Sequence, residues 1–253
     1  MSAVMPSSST DNAWRELHEA ATVPYQKGGS FAWHFARGKL GRDPVFRGLL
    51  EHRLVGAQHS RVVDIGCGQG LFASLLASMS TMQKQGRWPS SWHATTHGAD
   101  YTGIELMPKD VARAEASIGH LQPAPKLVCA DMCSAALPDC DLVVILDVLH
   151  YVDHGAQEGV LRRVHGALQP GGRLLLRVGD AASRRGYAIS QWVDRTVTRV
   201  RGHRVSPTWG RPLSEWTALL QRLGFSAVQS VPMSAGTPFA NVLLVADRGT
   251  ETS

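Results

Sequence analysis

One nine-residue segment constrains the fold of this chain more than any other. Residues 62–70 read Val-Val-Asp-Ile-Gly-Cys-Gly-Gln-Gly, and the helical run LFASLLASM follows directly. The segment predicts an apolar strand that ends near Asp64, then a glycine-rich turn, then a helix. Glycine tolerates positive φ and has no side chain, so backbone amides in such a turn can approach a ligand closely. The helix N-terminus adds unpaired donors and a partial positive charge.

Many doubly wound folds contain a similar turn, so the ligand that this turn binds is inferred from the strands further along the chain. Three more predicted strands carry an acid at the carboxyl end: 101–105 with Glu105, 127–131 with Asp131, and 141–147 with Asp147. A fifth strand is predicted at about 173–178, after the turn Pro170-Gly-Gly. Open α/β sheets bind ligands at the carboxyl ends of their strands. A carboxylate placed there can accept the hydroxyls of a ribose or the amino group of an adenine.

This ordered set of motifs resembles the class I S-adenosylmethionine (SAM)-dependent methyltransferases over roughly residues 60–247. The resemblance implies an α/β fold with a doubly wound, Rossmann-like, seven-stranded sheet whose last strand is antiparallel. It also implies SAM as the cofactor and S-adenosyl-L-homocysteine (SAH) as its product. We therefore expect an enzyme, a SAM-dependent methyltransferase.

The resemblance also assigns cofactor contacts around the glycine turn. Asp64 would help to fix the amino group of SAM. The backbone of the turn would face the methionine portion, through Gly66, Cys67, Gly68 and Gly70.

The remaining cofactor contacts fall on the acids of the later strands. By the same resemblance, Glu105 would hold the ribose hydroxyls and Leu106 would lie beside the adenine. Asp131 would accept from the adenine amino group, and Met132 would donate its amide. The pair Asp147 and Val148 would line the floor of the site near the methyl group.

The best candidate for proton transfer is His150, just beyond the predicted strand 141–147. Histidine titrates near neutrality, so it can take a proton from a phenol or a similar acceptor. The alternative is a histidine that packs under the cofactor without transferring a proton. Further catalytic candidates are Tyr151, His34 and His154, and Arg37 could orient an acidic acceptor.

The length of 253 residues and the 43% apolar content suit one α/β domain. We predict a SAM-binding domain at 59–248, preceded by a disordered tail at 1–12 and a helical lid at 13–58. Two insertions are predicted inside the domain: a loop at 80–100 and a basic helical segment at 181–213. The aromatic residues of the lid segment are expected either in the core or along the wall of an acceptor pocket.

Charge and cysteine content narrow the class of protein further. The net charge is +5, and the segment 184–211 carries a group of arginines: Arg184, Arg185, Arg195, Arg199, Arg201, Arg204 and Arg211. They form either a solvated helical face or a field that attracts an anionic partner. The four cysteines lack zinc-ligand spacing, so we expect no metal and a reduced, cytoplasmic protein. No signal peptide or apolar run of transmembrane length is visible.

A narrower resemblance concerns the acceptor. FAWHFARGKLGRDPVF, the insert around Gly86-Arg-Trp-Pro and the run Gly103-Ile-Glu-Leu-Met-Pro-Lys resemble bacterial methyltransferases that accompany aryl-polyene and xanthomonadin-type pigment biosynthesis. The resemblance implies transfer to carbon or oxygen of an aromatic or polyene small molecule, free or bound to an acyl carrier protein. Two other hypotheses stay open: an RNA or protein methyltransferase that uses the arginines of 184–211, and a SAM-binding scaffold without turnover.

Overall fold

The computed structural model describes residues 8–96, 98–182, 208–234 and 241–250. The helices are α1 (Ser8–Thr22), α2 (Ser30–Arg42), α3 (Pro44–Glu51), α4 (Leu71–Lys84), α5 (Pro108–Ile118), α6 (His154–Ala167) and α7 (Leu213–Arg222), and two short 3-10 helices lie at Val23–Gln26 and Leu149–Tyr151. The strands are β1 (Arg61–Ile65), β2 (Asp100–Glu105), β3 (Lys126–Cys129), β4 (Cys140–Leu146), β5 (Leu168–Gly179), β6 (Phe225–Pro232) and β7 (Asn241–Arg248). None of the helices in these ranges has both the length and the apolar character needed to cross a membrane.

The described strands form one seven-stranded sheet in the order β3-β2-β1-β4-β5-β7-β6. Strand β2 pairs in parallel with β3, and β4 pairs in parallel with β5. Strand β7 runs antiparallel to both of its neighbours, β5 and β6. The predicted sheet, with its antiparallel last strand, is therefore confirmed. The order reverses between β1 and β4, and such a switch point is where open α/β sheets bind their ligands.

The chain divides into two compact units. The first comprises the residues up to Val62 together with Cys67–Cys129. Its N-terminal helices are fastened to the segment after β1 by two hydrogen bonds. The hydroxyl of Ser74 on α4 donates to the carbonyl of Ala21 (2.7 Å), and the hydroxyl of the fully buried Tyr25 donates to the carbonyl of Gln69 (2.9 Å).

The second unit comprises Val63–Gly66 and the residues from Ala130 onward. Its core contains the apolar residues of β4, β5 and β7, of which Val144, Leu175 and Leu244 are fully buried. Strand β5 is longer than the predicted 173–178, because its residues before Arg173 continue the pairing with β4 through a register shift between Cys140 and Leu142.

Two segments differ from the boundaries predicted for them. Helix α1 begins at Ser8, inside the segment 1–12 for which a tail is predicted, and Asp11 in its first turn pairs with Arg47 at 2.6 Å. The predicted strand 127–131 stops at Cys129, since Asp131 accepts hydrogen bonds in a turn instead of continuing the strand.

The two predicted insertions have different outcomes. Helix α4 continues to Lys84, so the loop expected at 80–100 is shorter than predicted. It is also anchored, because Trp92 is only 5% exposed and packs edge-on against Trp88, with ring centroids 4.9 Å apart. Most of the predicted basic insertion, residues 183–207, lies outside the described residues, and with it lie the arginines of the segment 184–211 except Arg211.

Replacing Tyr25 with Phe tests the attachment of the N-terminal helices. The substitution keeps the buried ring and removes the donor to the Gln69 carbonyl, so we expect the free energy of unfolding to fall by about 1–2 kcal/mol. Urea denaturation measures this value. An unchanged free energy of unfolding in Tyr25→Phe would contradict the attachment.

Candidate functional site

The glycine turn after β1 has the backbone that a ligand cradle needs. Gly66, Gly68 and Gly70 have φ values of +75°, +56° and +73°, a region that L side chains rarely adopt. At Gly66 an added Cβ would lie 2.5 Å from Cγ1 of Val148, so the approach of these two chain segments requires glycine. At Gly68 an added Cβ would meet nothing within 4 Å. The turn is therefore tight at Gly66 and open at Gly68.

Glu105 at the end of β2 is held in place by two backbone amides. Its Oε2 accepts from the Gly68 amide and its Oε1 from the Met107 amide, both at 2.9 Å. Each carboxylate oxygen can accept a second hydrogen bond, so the fixed carboxylate keeps capacity for the hydroxyls of a ligand. The neighbouring Leu106 is 61% exposed and offers an apolar surface beside it. This arrangement fits the chemistry of a ribose and an adenine.

Further contacts stabilise the glycine turn, and the sequence did not indicate them. The Cys67 amide donates to the Ile104 carbonyl of β2 at 3.1 Å. The side chain of Gln69, only 1% exposed, donates to Asp110 of α5 at 3.2 Å. Its Oε1 has no hydrogen-bond partner among the described residues. Tyr25 completes the set through the Gln69 carbonyl. In the sequence Tyr25 was only one of several aromatic residues of the predicted lid, so nothing there pointed to this contact.

Asp131 and Met132, the predicted adenine contacts, lie in a turn after β3. The exposed Asp131 carboxylate accepts from the Cys133 amide at 2.8 Å. Arg163 of α6 donates to the carbonyls of Met132 and, at 2.9 Å, of Cys133, so it holds the turn against α6. Burial raises the pKa of the Cys133 thiol, and the negative charge of Asp131 raises it further. The sequence does not indicate this contact of Arg163, because Arg163 is one of two adjacent arginines on a helix.

The two remaining acids are placed on neighbouring strands at the switch point. Asp64 on β1 is 4% exposed. Asp147 follows β4 and has a φ of +60°, which is strained for a residue other than glycine. Arg177 of β5 donates to both oxygens of the Asp147 carboxylate, with its Nε at 2.7 Å from Oδ1. Sequence reasoning missed Arg177, which is one of two arginines in the otherwise apolar run 173–178 of β5.

The four predicted catalytic residues lie on three elements. His150 and Tyr151 share the short 3-10 helix after β4, and their ring centroids are 4.2 Å apart. The Trp209 amide donates to the His150 carbonyl at 2.8 Å, and the Trp209 ring packs on His154. His34 is exposed on α2 in the first unit, where its ring contacts Trp33.

No group of three or more His, Cys, Asp or Glu residues in the described ranges is arranged to hold a metal ion. The polar groups of the glycine turn and of the strand ends are backbone amides, carboxylates and a carboxamide, which suit a nucleoside ligand.

Comparison with known proteins identifies the family. A family model described as a methyltransferase domain matches residues 33–230, and the chain belongs to this family. The match covers the second N-terminal helix, the glycine turn and the sheet as far as β6.

The individual proteins that this chain resembles share between 20% and 30% sequence identity with it. The carboxy-S-adenosyl-L-methionine synthase of Aeromonas salmonicida is 30% identical over 131 residues, which cover 51% of this chain and 47% of that protein. The tetracenomycin polyketide synthesis 8-O-methyl transferase TcmO of Streptomyces glaucescens is 26% identical over 238 residues, 87% of this chain and 63% of that protein. This chain thus spans about half of the first relative's length. The mitomycin 7-O-methyltransferase MmcR shares the fold, with a TM-score of 0.61 at 20% identity over 96% of this chain and 69% of its own.

The thiol of Cys133 reports on the Asp131 carboxylate. A raised pKa leaves less thiolate at pH 8, so iodoacetamide should modify Cys133 slowly. Asp131→Asn removes the adjacent negative charge and should increase that rate about two- to fivefold, as measured by peptide mass spectrometry. Asp139→Asn makes the same change of charge further along the chain and should leave the rate unchanged. Equal rates in the two variants would show that Asp131 does not act on the thiol.

Proposed function

We propose that this protein transfers a methyl group from SAM to a small-molecule acceptor. The observation that carries the proposal is the glycine turn, in which the Gly68 amide donates to Glu105 at 2.9 Å beside open space. Membership of the methyltransferase domain family supports it. So does the name of the Aeromonas salmonicida relative, which contains a SAM derivative.

In this proposal the glycine turn and the end of β2 hold the methionine portion and the ribose of SAM. The fixed Glu105 carboxylate accepts from the ribose hydroxyls, and the turn Gly66–Gly70 offers its backbone. By the family resemblance, Asp64 contacts the amino group, Asp131 and Met132 contact the adenine, and Asp147 and Val148 line the methyl side. Bound SAM supplies a methyl carbon on a sulfonium, and the bonding electron pair remains on sulfur when the acceptor's lone pair forms the new bond.

His150 is our proposed general base, with Tyr151 beside it. Its imidazole would take the proton from the acceptor's O–H group as the new bond forms, so that a neutral ether leaves the site. Its place just after β4, at the carboxyl end of a central strand, supports this role. His34 on α2 remains a proposed second contact to the acceptor.

We propose an aromatic or polyene hydroxyl compound as the acceptor. The name of TcmO describes a polyketide O-methyl transferase, and this relative aligns with 87% of the present chain. The sequence resemblance to pigment-associated methyltransferases favours the same class of acceptor. A carrier-bound acceptor would bring an acidic carrier protein to a chain of net charge +5.

The compartment proposed for this reaction is the cytoplasm. Cys129 and Cys133 are free and exposed, and exposed thiols persist in a reducing compartment.

The decisive experiment incubates the full chain with methyl-labelled SAM and three sets of acceptors: hydroxylated aryl acids, their carrier-protein thioesters, and bulk RNA. We expect label in the first or second set. Label in RNA alone would contradict a small-molecule acceptor, and binding of SAM without transfer to any acceptor would indicate a scaffold.

Glu105→Ala tests the ribose assignment. The variant removes the charged acceptor at the end of β2, so we expect the Kd for SAM to rise at least about tenfold in calorimetry. Glu115→Ala, on the exposed side of α5, is the matched control and should leave the Kd unchanged. An unchanged Kd in Glu105→Ala would remove the assignment.

His150→Ala separates catalysis from packing. As a general base, His150 should contribute about 10²–10⁴ in kcat, while the Kd for SAM should change less than about threefold. The exposed His120 provides the control His120→Ala, for which both values should stay constant. A similar loss of kcat and of SAM affinity in His150→Ala would mean that the ring only packs under the cofactor.

A further inference from the structure

Asp147 has an unusual conformation for a residue at the tip of a central strand. Its φ of +60° is in the left-handed region, and its side chain is 30% exposed. The residue that follows, Val148, approaches Gly66 so closely that a Cβ on Gly66 would lie 2.5 Å away. Asp147 therefore stands between β4 and the glycine turn after β1, at the switch point where a ligand of such a sheet binds.

Arg177 holds Asp147 from the neighbouring strand. Its Nε donates to Oδ1 at 2.7 Å and its Nη2 donates to Oδ2, which is the bidentate geometry of a strong ion pair. The Asp147 amide also donates to the Arg177 carbonyl at 3.4 Å. The Arg177 side chain is only 2% exposed, so its charge is balanced chiefly by the protein and not by water.

The net charge at the tip of β4 affects the methyl transfer from SAM that is proposed above. SAM carries a positive sulfonium, and the sulfur becomes neutral as the methyl group leaves. A lone carboxylate near the sulfur would stabilise SAM more than the transition state and more than SAH, which slows transfer. A lone guanidinium would instead weaken the binding of SAM relative to SAH.

We propose that Arg177 and Asp147 act as one ion pair, in which the guanidinium offsets the charge of the Asp147 carboxylate at the β4 tip where the sulfonium is discharged. Arg177 is then a positioning residue: it acts on the cofactor through Asp147, and it holds that residue in its strained conformation. This inference rests on the proposed SAM site.

The ratio of the Kd values for SAH and SAM is a direct probe, because the two molecules differ by the methyl group and the charge on sulfur. We expect Asp147→Asn, which removes one negative charge, to lower the preference for SAM about three- to tenfold. Arg177→Met, which removes one positive charge, should raise it by a similar factor. The double variant Asp147→Asn/Arg177→Met restores the sum of the two charges and should return within about twofold of the wild type.

Strand β5 offers a matched control at its other end. Arg173 and Asp247 form a second bidentate pair, with Nε–Oδ1 at 2.8 Å and Nη2–Oδ2 at 3.2 Å. Asp247→Asn makes the same change of charge and should leave the SAM preference within about twofold of the wild type.

Calorimetry on the folded full chain, with folding checked by circular dichroism, distinguishes the outcomes. Equal SAM preferences in Asp147→Asn and Asp247→Asn would overturn the inference, and this comparison holds even if Arg177→Met does not fold. A wild-type chain that binds neither SAM nor SAH would instead overturn the proposed function.

Discussion

The hydrogen bond from the Gly68 amide to the Glu105 carboxylate is the contact on which the candidate site depends. It joins the glycine turn to the acid at the end of the next strand. The turn is also restrained by the buried Tyr25, whose hydroxyl donates to the Gln69 carbonyl. A cradle restrained by both contacts loses little further entropy when a ligand binds, which is the physical advantage of a preorganised site.

The acids of the second unit lie in three different electrostatic settings. Asp131 is exposed in a turn, Asp64 is buried on β1, and Asp147 is bound by a buried guanidinium. Identical side chains can therefore serve different purposes. An exposed carboxylate can accept from a base edge, whereas one paired with Arg177 adds little net charge to its surroundings. In methyl transfer, where a positive charge disappears from sulfur, this distinction affects rate as well as binding.

The parts of the fold that follow from local pattern were predictable from the sequence. The glycine turn and the acid at the end of β2 are in the predicted places, and the antiparallel last strand, which the family resemblance implied, is present. The contacts that depend on distant pairing were not predictable. Arg177 meets Asp147 only because the parallel register sets Leu146 opposite Arg177, and Tyr25 reaches Gln69 across 44 positions of the chain. The strand before Asp131 is shorter than predicted, since the hydrogen bonds that the Asp131 carbonyl and carboxylate accept form a turn there.

The most direct test of the account is an NMR titration of the full chain, labelled with 15N-glycine, against SAH. The account predicts saturable shifts of the Gly66, Gly68 and Gly70 amides, while Gly159 and Gly166 on α6 stay in place. Constant positions of all three turn amides at saturating SAH would contradict it.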